Sequence, residues 1–385
     1  MEKTVSIVRC VDYRQQTVDE AVRRVLEPLG GVSAFRPEGK HVLLKANLLS
    51  AYRPEKSVTT HPSVVEALAK EFVAAGARVT VADSPGGIYN AASLRRVYSV
   101  CGMDTAAKNS GASLNFDLSF RRVEFPEGKY AKEFDILTPV LDADIVVSVA
   151  KLKTHGLAYY TGATKNLFGC IPGLEKAAFH SRYPNSYRFN AVLVDLCELI
   201  KPDLSVIDGV VGMEGDGPSA GVPKHVGVIG ASLNPYALDM AMCDLVSLPA
   251  SKVPVLTEAA ERKLVVSKVS DLSFAGDDPN EFRTEFMPPS SRGKSSLIGM
   301  VSRYVLPKKV HRRLSDVLTP WPVMTEKCIA CEKCVEICPR QVISIRNKKA
   351  EPDYSGCIRC YCCHEICPVQ AIELTRRLKR PERKL

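Results

Sequence analysis

Four cysteines within eleven residues, Cys328, Cys331, Cys334 and Cys338, constrain this chain more than any other feature, because their CxxCxxCxxxCP spacing returns downstream. Cys357, Cys360, Cys363 and Cys367 repeat it, each 29 residues after its counterpart, and QVISI after the first run aligns with QAIEL after the second. An offset that persists beyond the cysteines marks a duplicated half-domain. Of the 14 cysteines, nine lie between Cys328 and Cys367; Cys10, Cys101, Cys170, Cys197 and Cys243 stand singly, mostly among apolar neighbours, and read as small buried hydrophobes. A disulfide scaffold of this density belongs to exported chains, and the start MEKTVSIVRC lacks the apolar core of a secretory signal. Metal binding is the reading that remains.

Structural zinc takes two separated pairs of ligands around one tetrahedral ion, whereas three cysteines at successive i, i+3 steps present thiolates to three corners of an iron–sulfur cube. With these residues in view, 321–375 resembles a bacterial two-cluster ferredoxin module. The resemblance implies that the fourth cysteine of each run crosses to the other cluster. Cys328, Cys331, Cys334 and Cys367 would then hold one 4Fe-4S cluster, and Cys357, Cys360, Cys363 and Cys338 the other. Ile329, Val335, Ile337, Ile358, Ile366, Val369 and Ile372 are expected to wrap them. Cys362 departs from the pattern as a ninth thiol, an idle neighbour or an alternative ligand, which leaves the roles of Cys362 and Cys363 open.

The preceding part alternates strand and helix patterns. VSIVRCV, HVLLKAN, RVTVADS, ADIVVSVA, LSVIDG and HVGVIGAS read as strands. Between them fall amphipathic helices: one opened by a Thr17/Glu20 capping box with Val18, Ala21, Val22, Val25 and Leu29 on one face, one from Pro62 to Gly76, others near Ala92–Val100 and Asn190–Ile200, and a last pair over roughly Tyr236–Leu264. The fold class expected is α/β, a mostly parallel sheet with helices on both faces plus a small α+β cluster domain. The boundaries read as 1–276 for the α/β domain, 277–320 for a linker and basic amphipathic arm, 321–375 for the cluster domain and 376–385 for a basic tail.

Ligands in such sheets bind beyond the carboxyl ends of the strands. Those ends carry Lys45 and Asn47, Asp83 and Ser84, then Lys151, Lys153 and His155, and finally Asp208, with Glu214 and Asp216 in a glycine-rich loop; Lys165 and Asn166 follow in TGATKNLFG. Lysines gathered in a crevice favour an anionic ligand, a carboxylate or phosphate. Lys151, Lys153 and His155 are the candidate catalytic groups, and Lys45, Asn47, Asp83, Lys165, Asn166 and Asp208 the candidate ligand-holding ones. His61 reads either as an acid–base group or as a helper of the turn before Pro62, and His180 carries a weaker signal. Asp208, Glu214 and Asp216 are either magnesium ligands or ordinary turn residues.

No GxGxxG follows a strand, and no GxxxxGK[ST], GxSxG or HExxH occurs. The runs VTTHPSVVEAL, VADSPGG, KLKTHGLAYYTGATKNLFGCIPG and DGVVGMEGDGP resemble the family known as domain of unknown function 362, over about residues 40 to 250. The resemblance implies an α/β domain associated with iron–sulfur centres and names no substrate. A flavin or a further metal in the α/β domain stays open.

The net charge of +9 is concentrated at the end of the chain: residues 292–385 hold 20 Lys and Arg against 9 Asp and Glu. Basic SLIGMVSRYVLPKKVHRRLSDVL is expected to pack against the module or to touch an anionic membrane surface weakly. Nucleic acid is not expected, since no binding fold accompanies the charge. No apolar run is long enough to span a bilayer, and a cytoplasmic protein is expected. Three readings remain: an oxidoreductase passing single electrons between its clusters and a bound anionic small molecule, a carrier docking a redox partner protein, and a cluster assembly or donor protein.

Overall fold

The computed structural model describes residues 2–290 and 319–375. Its strands in chain order are β1 (Thr4–Arg9), β2 (His41–Ala46), β3 (Arg78–Ala82), β4 (Ser113–Leu114), β5 (Phe120–Glu124), β6 (Glu133–Leu137), β7 (Ile145–His155) and β8 (Tyr159–Thr161). They continue with β9 (Leu204–Glu214), β10 (Val222–Ser232), β11 (Ser273–Gly276), β12 (Trp321–Met324), β13 (Ile343–Arg346), β14 (Lys349–Pro352) and β15 (Ile372–Thr375).

Among the described residues nine strands form one sheet in the order β11-β1-β10-β9-β7-β2-β3-β4, with β8 paired to β7. Strands β9, β7, β2, β3 and β4 run parallel, and β10 lies antiparallel between β9 and β1. The sheet is mostly parallel with helices around it, the α/β class expected. Successive side chains of a strand point to opposite faces, so a strand covered on both sides carries apolar residues on both. On β7, Val146, Ala150 and Leu152 enter the core under the helices Ser186–Ile200 and Pro235–Leu245, while Ile145, Val147 and Val149 enter the core under Gln15–Leu26 and Pro62–Ala74. Each fully buried Val, Ile or Leu among them contributes roughly 1.5–3 kcal/mol.

Several local expectations are corrected. The first helix starts at Gln15, capped at Arg14 without a side-chain bond, so Thr17 and Glu20 form no capping box. Asp12 Oδ1 accepts from Arg14 N at 3.0 Å, which turns the chain into the helix two residues early. Leu29 falls in the 3-10 turn that follows, and Leu26 takes the inner face instead. Strand β7 runs on through Lys151, Lys153 and His155 rather than ending at Ala150, and β9 runs on to Glu214. Residues 277–290 lie on the α/β domain: Phe282 and Phe286 are buried in its core, and Asp277 pairs with Arg24 at 2.5 Å. The basic stretch 296–318 and the tail 376–385 lie outside the described residues.

The C-terminal module is two small antiparallel pairs, β12 with β15 and β13 with β14, and two short helices. Lys333–Glu336 carries Cys334; Cys362–Ile366 carries Cys362 and Cys363.

Candidate functional site

The eight motif cysteines surround two hollows, and the division crosses the sequence. Cys328, Cys331, Cys334 and Cys367 line one with Ile345, Ala350 and Ile372. Cys338, Cys357, Cys360 and Cys363 line the other with Val342, Ile343 and Ile358. Each set is all-sulfur and apolar-walled, the donor chemistry that suits an iron–sulfur cluster. Backbone N–H groups point at sulfurs: Ala350 N to Cys328 Sγ at 3.4 Å, Arg359 N to Cys357 Sγ at 3.4 Å and Ala371 N to Cys367 Sγ at 3.2 Å. Among the described residues no three His, Cys, Asp or Glu side chains converge as ligands of a single ion would. Cys362 lines neither hollow. Ile329, expected to wrap a cluster, is 60% exposed, and Ile337 and Ile366 pack with Ala177 of the α/β domain.

The surroundings of the two repeats differ. Cys331 and Glu332 are exposed, whereas Cys360 and Tyr361, their counterparts, are half-buried and buried. The second repeat is the covered one. Its helix is fixed to the α/β domain where Ser219 Oγ donates to Glu365 O at 2.8 Å and Gln370 Nε2 donates to Ser219 O at 3.0 Å.

Beneath that helix lies a cavity of about 110 Å3. Lys45, Lys153, Lys165, Lys176, Asp83, His155 and His180 line its α/β side, and Ile337, Cys362, Glu365 and Ile366 of the module close it. The basic groups come from separate elements. Lys45 lies one residue before the end of β2 and Lys153 on β7, while Lys165 belongs to the short helix Ala163–Asn166 and Lys176 to the helix Glu175–Arg182. Asp239 sets the Lys165 turn by accepting from Ala163 N at 2.6 Å and Thr164 N at 3.0 Å.

Lys45 is tied to Asp83 at 2.7 Å, and Asn166 locks the corner, its Nδ2 donating to Lys45 O at 2.8 Å while its Oδ1 accepts from Lys45 Nζ at 3.2 Å and Asn47 Nδ2 at 3.3 Å. Lys153 Nζ donates to Asn47 Oδ1 at 2.8 Å and Val58 O at 2.6 Å. Burial and the neighbouring Lys165 pull its ammonium down to about 7. Lys176 Nζ donates to Ser84 Oγ at 2.7 Å and Ile171 O at 3.1 Å, and burial likewise lowers it to about 7. Burial alone pushes the Glu365 carboxyl up to about 7 against the pull of Lys165 and Lys153. His155 Nδ1 accepts from Leu157 N at 3.1 Å and Ala158 N at 3.3 Å, which assigns the proton to Nε2, 3.4 Å from Glu365 Oε1. His180 stacks on Phe189 at 4.2 Å, and burial depresses it to about 3, so it stays neutral.

Gly169 permits this packing. A Cβ there would meet Asp83 Oδ1 at 2.1 Å and Lys45 Nζ at 2.6 Å. Gly169→Ala is expected to force the pair apart and cost about 1–3 kcal/mol in thermal or denaturant unfolding; a variant that melts with the wild type would contradict this packing.

Lys151 and Asp208 are not among the cavity-lining residues. Lys151 Nζ meets Asp208 Oδ2 and Tyr13 OH at 2.8 Å each, and Tyr13 OH donates to Asp208 Oδ1 at 2.8 Å. His61 stacks on Tyr13 at 3.6 Å and caps its helix, Nδ1 accepting from Ser63 N at 3.2 Å. Burial lowers His61 to about 4. Glu214 accepts from Lys224 Nζ at 3.1 Å and Met287 N at 2.9 Å, and Asp216 from Ser290 N at 2.7 Å, so the three carboxylates considered for magnesium are engaged separately. Sequence reasoning missed Lys176 and Tyr13. Lys176 follows the last glycine of the KLKTH…IPG run by three residues, a position with no charge pattern to flag it.

Residues 42–244 match the family described as domain of unknown function (DUF362), and residues 321–344 match a 4Fe-4S binding domain. A thylakoid-associated protein of Synechocystis sp. is 36% identical over 288 residues, 73% of this chain and 86% of that protein. The lactate racemase apoprotein from Thermoanaerobacterium thermosaccharolyticum is similar in structure with a TM-score of 0.42 and 16% identity, over 64% of this chain and 58% of that one, less than two thirds of its length. Among the described residues no helix is long and apolar enough to cross a membrane.

Proposed function

The chain belongs to the DUF362 family and carries a 4Fe-4S binding motif, and from that premise we propose that it is an oxidoreductase acting on a small anion held between the α/β domain and the cysteine module. The observation that carries the reading is the lysine-lined cavity closed by the second cysteine helix, with Cys362 in its wall. Cys328, Cys331, Cys334 and Cys367 would hold one 4Fe-4S cluster, and Cys338, Cys357, Cys360 and Cys363 a second. Such groups supply single electrons.

The remaining work falls to the chain's own side chains. Lys45, fixed by Asp83 and Asn166, and Lys153, fixed by Asn47, offer ammonium groups whose directions are set before the ligand arrives, which lowers the cost of binding. Lys165 and Lys176 add charge from two helices on the same α/β side. Ile337 and Ile366 exclude water, so these charges act in a low dielectric. His155 and Glu365 stand where a proton can accompany an electron.

Inorganic phosphate, acetate and succinate, titrated calorimetrically against anaerobically reconstituted protein, test the reading. Lys153→Ala is expected to weaken the binding of whichever anion is held by at least about tenfold, or 1.4 kcal/mol. Binding should also fall as pH rises through about 7, because Lys153 attracts an anion only while protonated. The charged groups around it are Lys151, Lys165, Asp83 and Glu365. Protein that binds none of the three anions and exchanges no electrons with small molecules would return the balance to a carrier docking a partner enzyme. A cytoplasmic location accompanies this reading, since free thiols persist in a reducing compartment; recovery of the native protein with membranes would overturn that part.

A further inference from the structure

The run TGATKNLFG brings to the cavity a residue with no charge to mark it, Thr161. It is 3% exposed, and its Oγ1 has no hydrogen-bond partner among the described residues. A buried hydroxyl without a partner destabilises the fold, and one that lines a cavity can be satisfied by what enters it. Strand β8 places it there. Thr161 lies opposite Lys153 where β8 pairs antiparallel with β7, and directly opposed residues of such a pair share one face of the sheet.

Lys165 is the second unsatisfied group. Lys45 is engaged by Asp83 and Asn166, Lys153 by Asn47 and Val58 O, and Lys176 by Ser84 and Ile171 O. Lys165 Nζ has no hydrogen bond or ion pair among the described residues and sits 5.6 Å from the centre of the Phe168 ring. Gly162 joins the two positions. A Cβ there would meet Asp239 Oδ1 at 2.0 Å, so glycine lets β8 pass directly into the helix Ala163–Asn166.

The cavity also has apolar wall, from Phe168, Ala177, Ile337 and Ile366. At about 110 Å3 it is smaller than the roughly 150 Å3 that accepts benzene, so a ligand of about six non-hydrogen atoms or fewer fills it. Phosphate has no apolar end to set against such residues; a short carboxylate has both ends. We propose that the cavity takes a short-chain monocarboxylate, its oxygens on Thr161 Oγ1 and Lys165 Nζ and its hydrocarbon end toward Ile337 and Ile366. Lys153, with two of its three N–H groups engaged, has one left for the same oxygens. The proposal rests on the cavity reading above and narrows it from any small anion to one class, with the two residues that the ligand completes.

Propionate and inorganic phosphate, titrated calorimetrically into the anaerobically reconstituted full chain, test it in the wild type, Thr161→Val and Lys165→Met, with denaturant unfolding of the same samples. The wild type is expected to bind propionate more tightly than phosphate. Each substitution should weaken propionate at least about tenfold, since each removes a hydrogen bond within a charged pair. Neither should lower the unfolding midpoint, because each replaces an unpaired polar group by an apolar one of similar size. A group already satisfied inside the protein would give the reverse, a lower midpoint with binding intact, and would overturn the proposal. Propionate binding unchanged in either variant would overturn it too, as would tighter binding of phosphate than of propionate; in both cases the cavity would still be an anion site. A wild-type protein that binds neither probe would overturn the cavity reading together with this one.

Discussion

Asp208→Ala is expected to cost the α/β domain roughly 3–5 kcal/mol, because it strands the Lys151 ammonium without its counter-charge in the sheet. Lys151 is 1% exposed and Asp208 is fully buried. Asp208 also accepts from Tyr13 OH and from His61 N at 2.9 Å, so its loss unties β9 from the segments after β1 and before the helix Pro62–Ala74. Replacing both partners by apolar groups of similar size, Lys151→Met with Asp208→Leu, should recover much of the loss, since the desolvation of two charges disappears with them. Denaturant unfolding of the single and double variants measures this. A single variant as stable as the wild type would mean that the pair is not buried as described. Anion binding is expected to survive in the double variant, because neither residue lines the cavity.

The second large effect concerns the crossing of the cysteines. Cys338 belongs to the first run but lines the hollow of the second, and Cys367 does the reverse. If each hollow holds a 4Fe-4S cluster as proposed, Cys338→Ala should cost the protein about half its iron and sulfide, and the signal that disappears should be the one that Cys360→Ala also removes. Cys367→Ala should share its lost signal with Cys331→Ala. Pairing by sequence run instead of by hollow would refute the crossed assignment. Because ligand binding and folding of a small cluster domain are coupled, either variant should also loosen the module.

Which parts of this arrangement could be read from the sequence follows from the range of the forces involved. Period-two and period-3.6 apolar patterns are local, so β2, β3, β10, the starts of β7 and β9 and the helix Pro62–Ala74 could be located within a few residues. The 29-residue repeat fixed the cysteine frame for the same reason. The extent of β7 could not be read, because KLKTH looks like a solvent-facing strand end until Asp208 on β9 and Asn47 after β2 are known to neutralise or accept from its lysines. That pairing joins residues 57 positions apart in one case and 106 in the other. The same lack of long-range information put Lys151 and Lys153 in one crevice, although β7 has a register shift against β9 between them and they engage different partners. Residues 277–290 read as a linker because turn-formers dominate them, yet Phe282 and Phe286 were enough to hold the segment down. Cys362 and Cys363 are adjacent and chemically identical, and only the direction of the helix that carries them separates cavity wall from hollow.

The unequal cover of the two repeats has a practical consequence for anyone handling the protein in air. Ile329 and Cys331 present one hollow to dissolved dioxygen, while Tyr361 and the α/β domain shelter its twin. If each hollow holds a cluster as proposed, bleaching should come in two phases, the outer centre decaying first and leaving a half-loaded species whose remaining colour belongs to the centre next to the cavity.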